Sequence, residues 1–370
     1  MFALLLIAQG FSLTGGYIQT LALSWLAAKL GGSAMALSLY LLACYLPVAL
    51  LAYPFGRWLD RRPQKKWLLI SEGLLAALAA LLWLMAKEER ISFSFLLLFG
   101  AAWGCVRAFQ TPLYQSLPKK LAKNLSKGTA LLTAITCGAR GLGPILGGAL
   151  FHRFGAGAPF LINFLSFLPS LFLLSFLKIP PPAAAAAPKI KAHLPLLAKI
   201  FAVGFFGVHY NITFIGLMKE REMGSAAFGL AMGLLGLGAL LGFFLKARSK
   251  KALPLPLFPL LMGALNLLIS FFSALPPLLL SILLYGILDF WFFSTALFLL
   301  TNHLKKEETT AVMGLYTLSS VGAIPLGALL WGALSRAVGL RAVFWIIGGS
   351  LLLLGFFLFI KEKGSSGSKA

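Results

Sequence analysis

The sequence predicts an all-α membrane protein of twelve transmembrane helices, on three observations. Hydrophobic residues make up 59% of the 370-residue chain and charged residues 11%, with a mean hydropathy of +0.91, whereas soluble domains carry about a quarter charged residues. Apolar runs recur along the whole length, and about 20 such residues cross a hydrocarbon core roughly 30 Å thick. The connections between the runs are short, and Lys and Arg gather in every second one.

Spans are expected near 3–28, 33–55, 67–86, 92–114, 129–151, 157–178, 197–218, 225–246, 255–274, 277–300, 309–334 and 340–360. The first lacks a basic start and is too long for a signal-peptide core, so cleavage is not expected. The second runs into a cationic loop, Gly56-Arg57-Trp58-Leu59-Asp60-Arg61-Arg62-Pro63-Gln64-Lys65-Lys66. The third, fourth and fifth carry Glu72, Arg107 and Arg140, and the sixth stops at a proline-rich stretch. The seventh is interrupted by His209-Tyr210-Asn211, and the tenth holds Asp289 among Phe290, Trp291, Phe292 and Phe293. The eleventh repeats the fifth: Ile324-Pro325-Leu326-Gly327 answers Gly143-Pro144-Ile145-Leu146-Gly147.

Sidedness follows from the charges. Of the 32 Lys and Arg, 22 fall in the terminus-side loops and tail, eight on the other side, and Arg107 and Arg140 inside spans. Positive charge is retained in the cytoplasm, so both termini are expected there, in the inner membrane of a bacterium. The net charge of +22 then reflects contact with anionic lipid of the bilayer rather than a nucleic-acid partner. Cys44, Cys105 and Cys137 stand singly within spans, without metal or redox spacing, and read as packing residues. No metal and no cofactor is expected. The absence of a Gly-x-x-x-x-Gly-Lys-Ser/Thr loop excludes ATP as the driver, and loops this short leave no room for a catalytic domain, so the chain is not read as an enzyme.

Ile179-Pro180-Pro181-Pro182, five alanines and Pro188 read as a stiff, extended linker. The expected organisation is a six-helix bundle over 1–178, a cytoplasmic linker over 179–195, a second bundle over 196–361 and a flexible tail over 362–370, as a monomer.

Gly56 four residues before Asp60-Arg61, with Lys65-Lys66 beyond, resembles the loop between the second and third helices of major facilitator superfamily transporters. The run from Ser12 to Leu26 followed by Gly32-Ser33-Ala34 narrows the likeness. So do Arg-x-x-Gly-Pro-x-x-Gly-Gly at Arg140 to Gly148 and Phe-Leu-Ile-Asn then Ser-Phe at Phe160 to Phe167. Together they are similar to the bacterial branch holding macrolide-efflux and enterobactin-export proteins. The resemblance implies two pseudo-symmetric bundles with substrate between them. It implies that Asp60 docks at the N-terminus of helix eleven, near Thr309 and Thr310, whose positive dipole end favours an anion. Such a latch closes the cytoplasmic side. The bland alternative, a solvated loop that sets topology, accounts for Arg62, Lys65 and Lys66. It also implies that Gly143, Pro144, Gly147 and Gly148 thin and bend helix five in the manner of exporters. Ordinary membrane-helix packing is the competing account.

Ionisable groups inside a bilayer are kept for a role or a partner. Asp289 reads either as a proton-carrying carboxylate or as the structural ion-pair partner of Arg107 or Arg140. Glu72, near the cytoplasmic interface, reads as structural. His209 can titrate near neutrality or serve as a hydrogen-bonded packing residue in a kink. Arg140 follows the family pattern and reads as a helix tie; Arg107 does not and reads as a substrate contact. Where the family often has an acid in helix one, this chain has Gly16. Two arginines and one deep acid suit an anionic or amphipathic small molecule. The expectation is a proton-antiport exporter of a siderophore-like or drug-like molecule. The alternative is a lipid or lysophospholipid flippase, uptake carrier or uncoupled facilitator of the same fold.

Overall fold

The protein is known from a computed structural model that describes residues 1–180, 190–207, 209–248, 253–271, 275–301 and 309–367. The described residues form helices and no strands. The first six are α1 (Phe2–Leu30), α2 (Ala34–Leu59), α3 (Gln64–Lys87), α4 (Phe93–Leu121), α5 (Leu125–Phe154) and α6 (Gly157–Ser175). There follow α7 (Ile190–Gly207), α8 (Tyr210–Glu220), α9 (Ser225–Arg248), α10 (Leu257–Phe271) and α11 (Leu275–Thr301). The last are α12 (Thr309–Val321), α13 (Ala323–Val338) and α14 (Leu340–Gly367).

Among the described residues, eleven stretches are long and apolar enough to cross a membrane, and α10, at 15 residues, is a shorter twelfth pass. α7 with α8, and α12 with α13, each make one pass. The order of passes matches the expectation, and both termini therefore lie on one face. Side chains such as Leu98 and Leu353, 73% and 72% exposed, make sense only against lipid.

Helix starts obey local chemistry. The side chains of Ser33, Ser92 and Asn124 accept from the backbone N–H of Ala36, Phe95 and Lys127, capping α2, α4 and α5. Gly155 and Gly339, with φ of 74° and 82°, turn the chain after α5 and α13.

Two passes are broken, the seventh where His209-Tyr210-Asn211 was expected to interrupt it and the eleventh where continuity was expected, for reasons readable in the chain. At the seventh, the helix stops at Gly207, and Tyr285 Oη donates to the Gly207 carbonyl at 2.8 Å, satisfying a group that the break frees. The His209 carbonyl takes the N–H groups of Ile212 and Thr213, restarting the helix as α8. At the eleventh, Pro325 sits in the first turn of α13, where a missing N–H costs least, and the break falls at Gly322. Two smaller corrections concern the ends. Helix α7 starts at Ile190, inside the stretch read as extended linker; Pro181 to Lys189 lie outside the described residues. Helix α14 continues to Gly367, so the tail read as flexible from 362 is helical to that point.

The first six passes pack as α1 against α5 and α6, α2 against α4, and α3 against α6 and α4. In the last six, α9 packs on α11, and α10 on α14 and α11. The two bundles meet through α5 against α9 and through α2 against α12 and α13. One apolar core runs through both, from Tyr40 and Phe160 to Phe214, Phe228 and Trp331. On the far face, Ser38 Oγ donates to the Ala328 carbonyl at 2.7 Å and Lys219 Nζ to the Ala28 carbonyl at 2.8 Å. Toward the terminal face, Thr317 Oγ1 donates to Gln115 Oε1 at 3.3 Å, and a Cβ on Gly314 would lie 2.7 Å from the Ala52 carbonyl. Contacts thus join the bundles both above and below their centre.

Candidate functional site: a cationic, aromatic cavity between the bundles

A cavity of about 320 Å³ lies at that centre, lined from both bundles. α1 contributes Ser12, Tyr17, Gln19 and Ser24, α4 contributes Trp103, Arg107 and Thr111, and α5 contributes Arg140 and Pro144. Tyr45, Asn163 and Phe167 complete the first bundle's share; Tyr210, Asn211, Phe228 and Met232 come from the second. Gly16, where the family often carries an acid, is also on the wall.

The two intramembrane arginines stand differently. Arg107 Nη1 donates to Gln110 Oε1 at 2.7 Å, and its guanidinium lies 5.4 Å from the Trp103 ring centre. No carboxylate pairs with it among the described residues. A delocalised, weakly hydrated cation over an aromatic face is well suited to receive a planar anion. Arg140 is tied across the bundles. Its Nη1 donates to Asp289 Oδ2 at 3.1 Å and its Nη2 to Tyr210 Oη at 2.6 Å, with the Tyr210 ring centre 5.5 Å away. The open choice of partner for Asp289 is thereby decided in favour of Arg140. Asp289 is 2% exposed and does not reach the cavity wall, and its Oδ1 has no hydrogen-bond partner. Arg140 therefore faces the cavity on one side and a half-satisfied carboxylate on the other.

Glu72, read as structural, is held inside the first bundle. It is fully buried, accepting from Ser12 Oγ at 3.1 Å and from Tyr114 Oη. His209 is buried away from the cavity; its Nδ1 lies 2.9 Å from Thr213 Oγ1, and its ring packs edge-on to Tyr285 and Phe344. Its neighbour Tyr210 is the residue of that kink that reaches the site.

The exporter-like element of α5 is squeezed between helices of both bundles. A Cβ at Gly143 would meet Tyr17 at 2.5 Å, and one at Gly147 the Ile18 carbonyl at 2.6 Å, both on α1. Gly148 faces the other way, where a Cβ would sit 2.7 Å from the Ser225 carbonyl on α9. Pro144 lies between them, on the cavity wall.

In the cationic loop, Asp60 terminates α2 and is 7% exposed, whereas Arg61 and Arg62 are exposed. Gly56, a turn earlier, is buried. The pass made by α12 and α13 runs antiparallel to α2, Ala328 facing Ser38, Gly322 facing Ala49 and Gly314 facing Ala52, which brings the first turn of α12 to the Asp60 end. The side chains of Thr309 and Thr310, and residues 302–308, lie outside the described residues. Burial lowers the pKa of Lys120, and the charge of Asp60 opposes that shift.

Sequence reasoning overlooked Tyr210 and Gln110. Tyr210 was in view beside His209, but only geometry distinguishes adjacent residues pointing to opposite sides of a helix start. Gln110, three residues after Arg107 on a helix, could have been named from spacing alone.

Comparison with known proteins places these features. Residues 5–324 match the Major Facilitator Superfamily. A Deinococcus radiodurans protein named as a sugar efflux transporter is 25% identical over 386 residues, covering 98% of this chain and 97% of its own. The crystal structure of the human organic anion transporter MFSD10 (TETRAN) superposes with a TM-score of 0.76 at 18% identity, covering 96% of this chain and 98% of that one. That of a bacterial homologue of the iron transporter ferroportin, outward-facing with soaked iron, gives 0.69 at 20% identity, with 98% of each chain covered. These two likenesses speak to the fold.

Proposed function

The chain belongs to the major facilitator superfamily and is a multi-pass transporter of a small molecule rather than an enzyme; from its central site we propose that it exports an amphipathic organic anion in exchange for protons. The observation that carries this reading is Arg107, on the cavity wall without a carboxylate partner among the described residues and backed by Trp103. An unpaired guanidinium inside a membrane is expensive to keep, and an anionic substrate gives it a partner. The surrounding aromatic faces suit an apolar ring or chain on the same molecule.

Coupling, on this reading, runs through Arg140. An anion in the cavity competes with Asp289 for the same guanidinium. As Arg140 turns toward substrate, the Asp289 carboxylate takes a proton in place of its lost partner, and the tie between α5 and α11 opens. The units that then rock are 1–178 and 196–361, joined by the 179–195 linker, with both termini in the cytoplasm of a bacterial inner membrane and the protein a monomer. The branch of macrolide and enterobactin exporters fits this reading, as does the α5 element.

A second reading has a specific observation behind it. Gln19, Ser24, Asn163 and Asn211 give the wall hydrogen-bonding capacity, and the Deinococcus radiodurans relative is named for sugar efflux. A sugar carrying an acid group would satisfy both halves of the lining.

The test is substrate flux in inverted membrane vesicles with and without an imposed proton gradient. Gradient-driven accumulation of an organic anion, abolished in Asp289→Asn with the protein still folded, is the expected result. Flux indifferent to the gradient would instead make the protein an uncoupled facilitator. Movement of phospholipid alone would make it a flippase.

A further inference from the structure

The exchange reading gives a role to Asp289 and leaves Glu72 idle, yet Glu72 is the more isolated carboxyl. It is 0% exposed and sits within α3, eight positions along from Gln64 by residue number, with no cation paired to it among the described residues. Its two contacts are hydroxyls: Ser12 Oγ on α1, donating to Oε2 at 3.1 Å, and Tyr114 Oη on α4, donating to Oε1. A third hydroxyl, Ser170 Oγ on α6, which packs on α3, is buried without a hydrogen-bond partner. Three hydroxyls thus come from α1, α4 and α6, of which α4 and α6 pack on α3, and α4 also carries Arg107.

A carboxylate in an apolar interior, satisfied by neutral donors only, carries a large desolvation penalty. If pinning three helices were the whole task, an amide or a hydroxyl would serve; the second bundle does use an amide, Asn266, buried in α10 and donating to the Met262 carbonyl at 3.0 Å. What a carboxyl adds is a proton that can come and go. Here the means of exchange is built in. Ser12 is both the donor to Glu72 and a residue of the cavity wall, so one hydroxyl separates the carboxyl from water in the substrate cavity. The spare acceptor for a protonated Glu72 is the unpartnered Ser170 Oγ.

We propose that Glu72 is a second proton-binding site of the transporter, loaded from the substrate cavity through the Ser12 hydroxyl. In the loading step a hydronium in the cavity gives a proton to Ser12 Oγ, and Ser12 passes its own hydroxyl hydrogen along the existing bond to Glu72 Oε2. The hydronium becomes water, Ser12 is unchanged, and the carboxylate becomes a carboxylic acid that donates to Ser170 Oγ. One positive charge has moved inward and no other bond is made or broken. The inference rests on proton exchange as the driving force, but the site can be tested apart from transport.

The experiment is infrared difference spectroscopy of the purified full-length protein, titrated through neutral pH, following the carboxylic acid C=O stretch. Wild type should show a titrating band that is lost in Glu72→Gln and kept in Asp289→Asn. Gln offers its Oε1 to one of the two hydroxyls and an N–H to the oxygen of the other, so the thermal midpoint should hold. Ser12→Ala should keep the band and slow its response to a pH jump at least tenfold. Tyr114→Phe supplies a second route to the same answer by shifting the band should Glu72→Gln fail to fold. A band that Glu72→Gln leaves intact, or a Glu72 carboxyl that stays in one state across the titration, would overturn the proposal. Gradient-independent flux in vesicles would remove the exchange reading while leaving the spectroscopic result to speak for Glu72 itself.

Discussion

On the exchange reading most of the chemistry converges on Arg140, which among the described residues is the cavity arginine paired with a carboxylate. The Asp289 partner is 3% exposed at its side chain. Removing one member of a buried pair strands the other, at a cost of about 3–5 kcal/mol. We expect Arg140→Leu to lower the thermal midpoint sharply, and Arg140→Leu with Asp289→Leu to recover most of that loss. A double variant no better than the single one would mean that the pair contributes little to the fold. Lys120 offers a pH signature at the terminal face. Burial lowers its pKa, so the unfolded chain holds its proton to higher pH than the folded one, and stability rises with pH through that window. Asp60→Asn removes the charge that opposes this shift. The variant should be less stable than wild type at neutral pH, with the gap closing as pH rises toward the ordinary lysine range. A gap independent of pH would separate Asp60 from Lys120. Among single residues, the sequence disclosed the charged candidates and little of their grouping. Asp289 could have met Arg107 or Arg140, since all three lie inside spans, and only the rotation of α5 about its axis selects the second.

At the scale of elements, α5 is the part most tightly specified by its sequence. Its glycines are spaced so that Gly143 and Gly147 meet α1 while Gly148 meets α9, across the boundary between bundles. At Gly147 the obstacle is the Ile18 backbone, which cannot yield as a side chain can. Gly147→Val should therefore cost about 1–3 kcal/mol through overpacking and impair transport. Gly138→Ala, on the same helix with nothing within 4 Å of its new Cβ, should stay within about 0.5 kcal/mol of wild type. Equal effects of the two would refute the packing account. This element was legible because Gly-Pro-x-x-Gly-Gly has few physical readings. The polar His209-Tyr210-Asn211 marked the break after Gly207, but the one at Gly322 was not legible, since hydropathy reports apolar length and is blind to an interrupted hydrogen-bond ladder. Pro325 announced the second break only once the start of α13 was known. The burial of Glu72 was hidden for a related reason: neighbouring helices, not position along α3, determine it.

For the whole molecule, the number of passes, their order and the bundle architecture could be read in advance, because lipid imposes helices of fixed length on the chain. What could not be read is the space the two bundles enclose. The walls come from residues scattered over most of the chain, and the cationic, aromatic character of the cavity emerges only when α4, α5 and α8 are brought together. If transport proceeds by the alternating access we propose, the contacts at the two faces are antagonists: Lys219 with Ala28 on one, the α2–α12 crossing beside Asp60 on the other. Asp60→Asn should shift the population toward the state open at the terminal face, read as faster labelling of cysteines introduced into the cavity by a probe added on that side. Unchanged labelling would contradict the latch.

The measurement that bears most directly on the central claim is thermal stabilisation of the purified protein by anionic catecholates, cationic macrolides and lysophospholipids, in wild type and Arg107→Ala. A specific ligand at about a hundred times its dissociation constant should add roughly 2.7 kcal/mol to the folded state. Stabilisation by the anions, lost in Arg107→Ala and kept for any cation that binds, is the predicted result. Stabilisation by macrolides or lysophospholipids alone, unaffected by Arg107→Ala, would contradict an anion-binding cavity and leave Arg107 a structural residue.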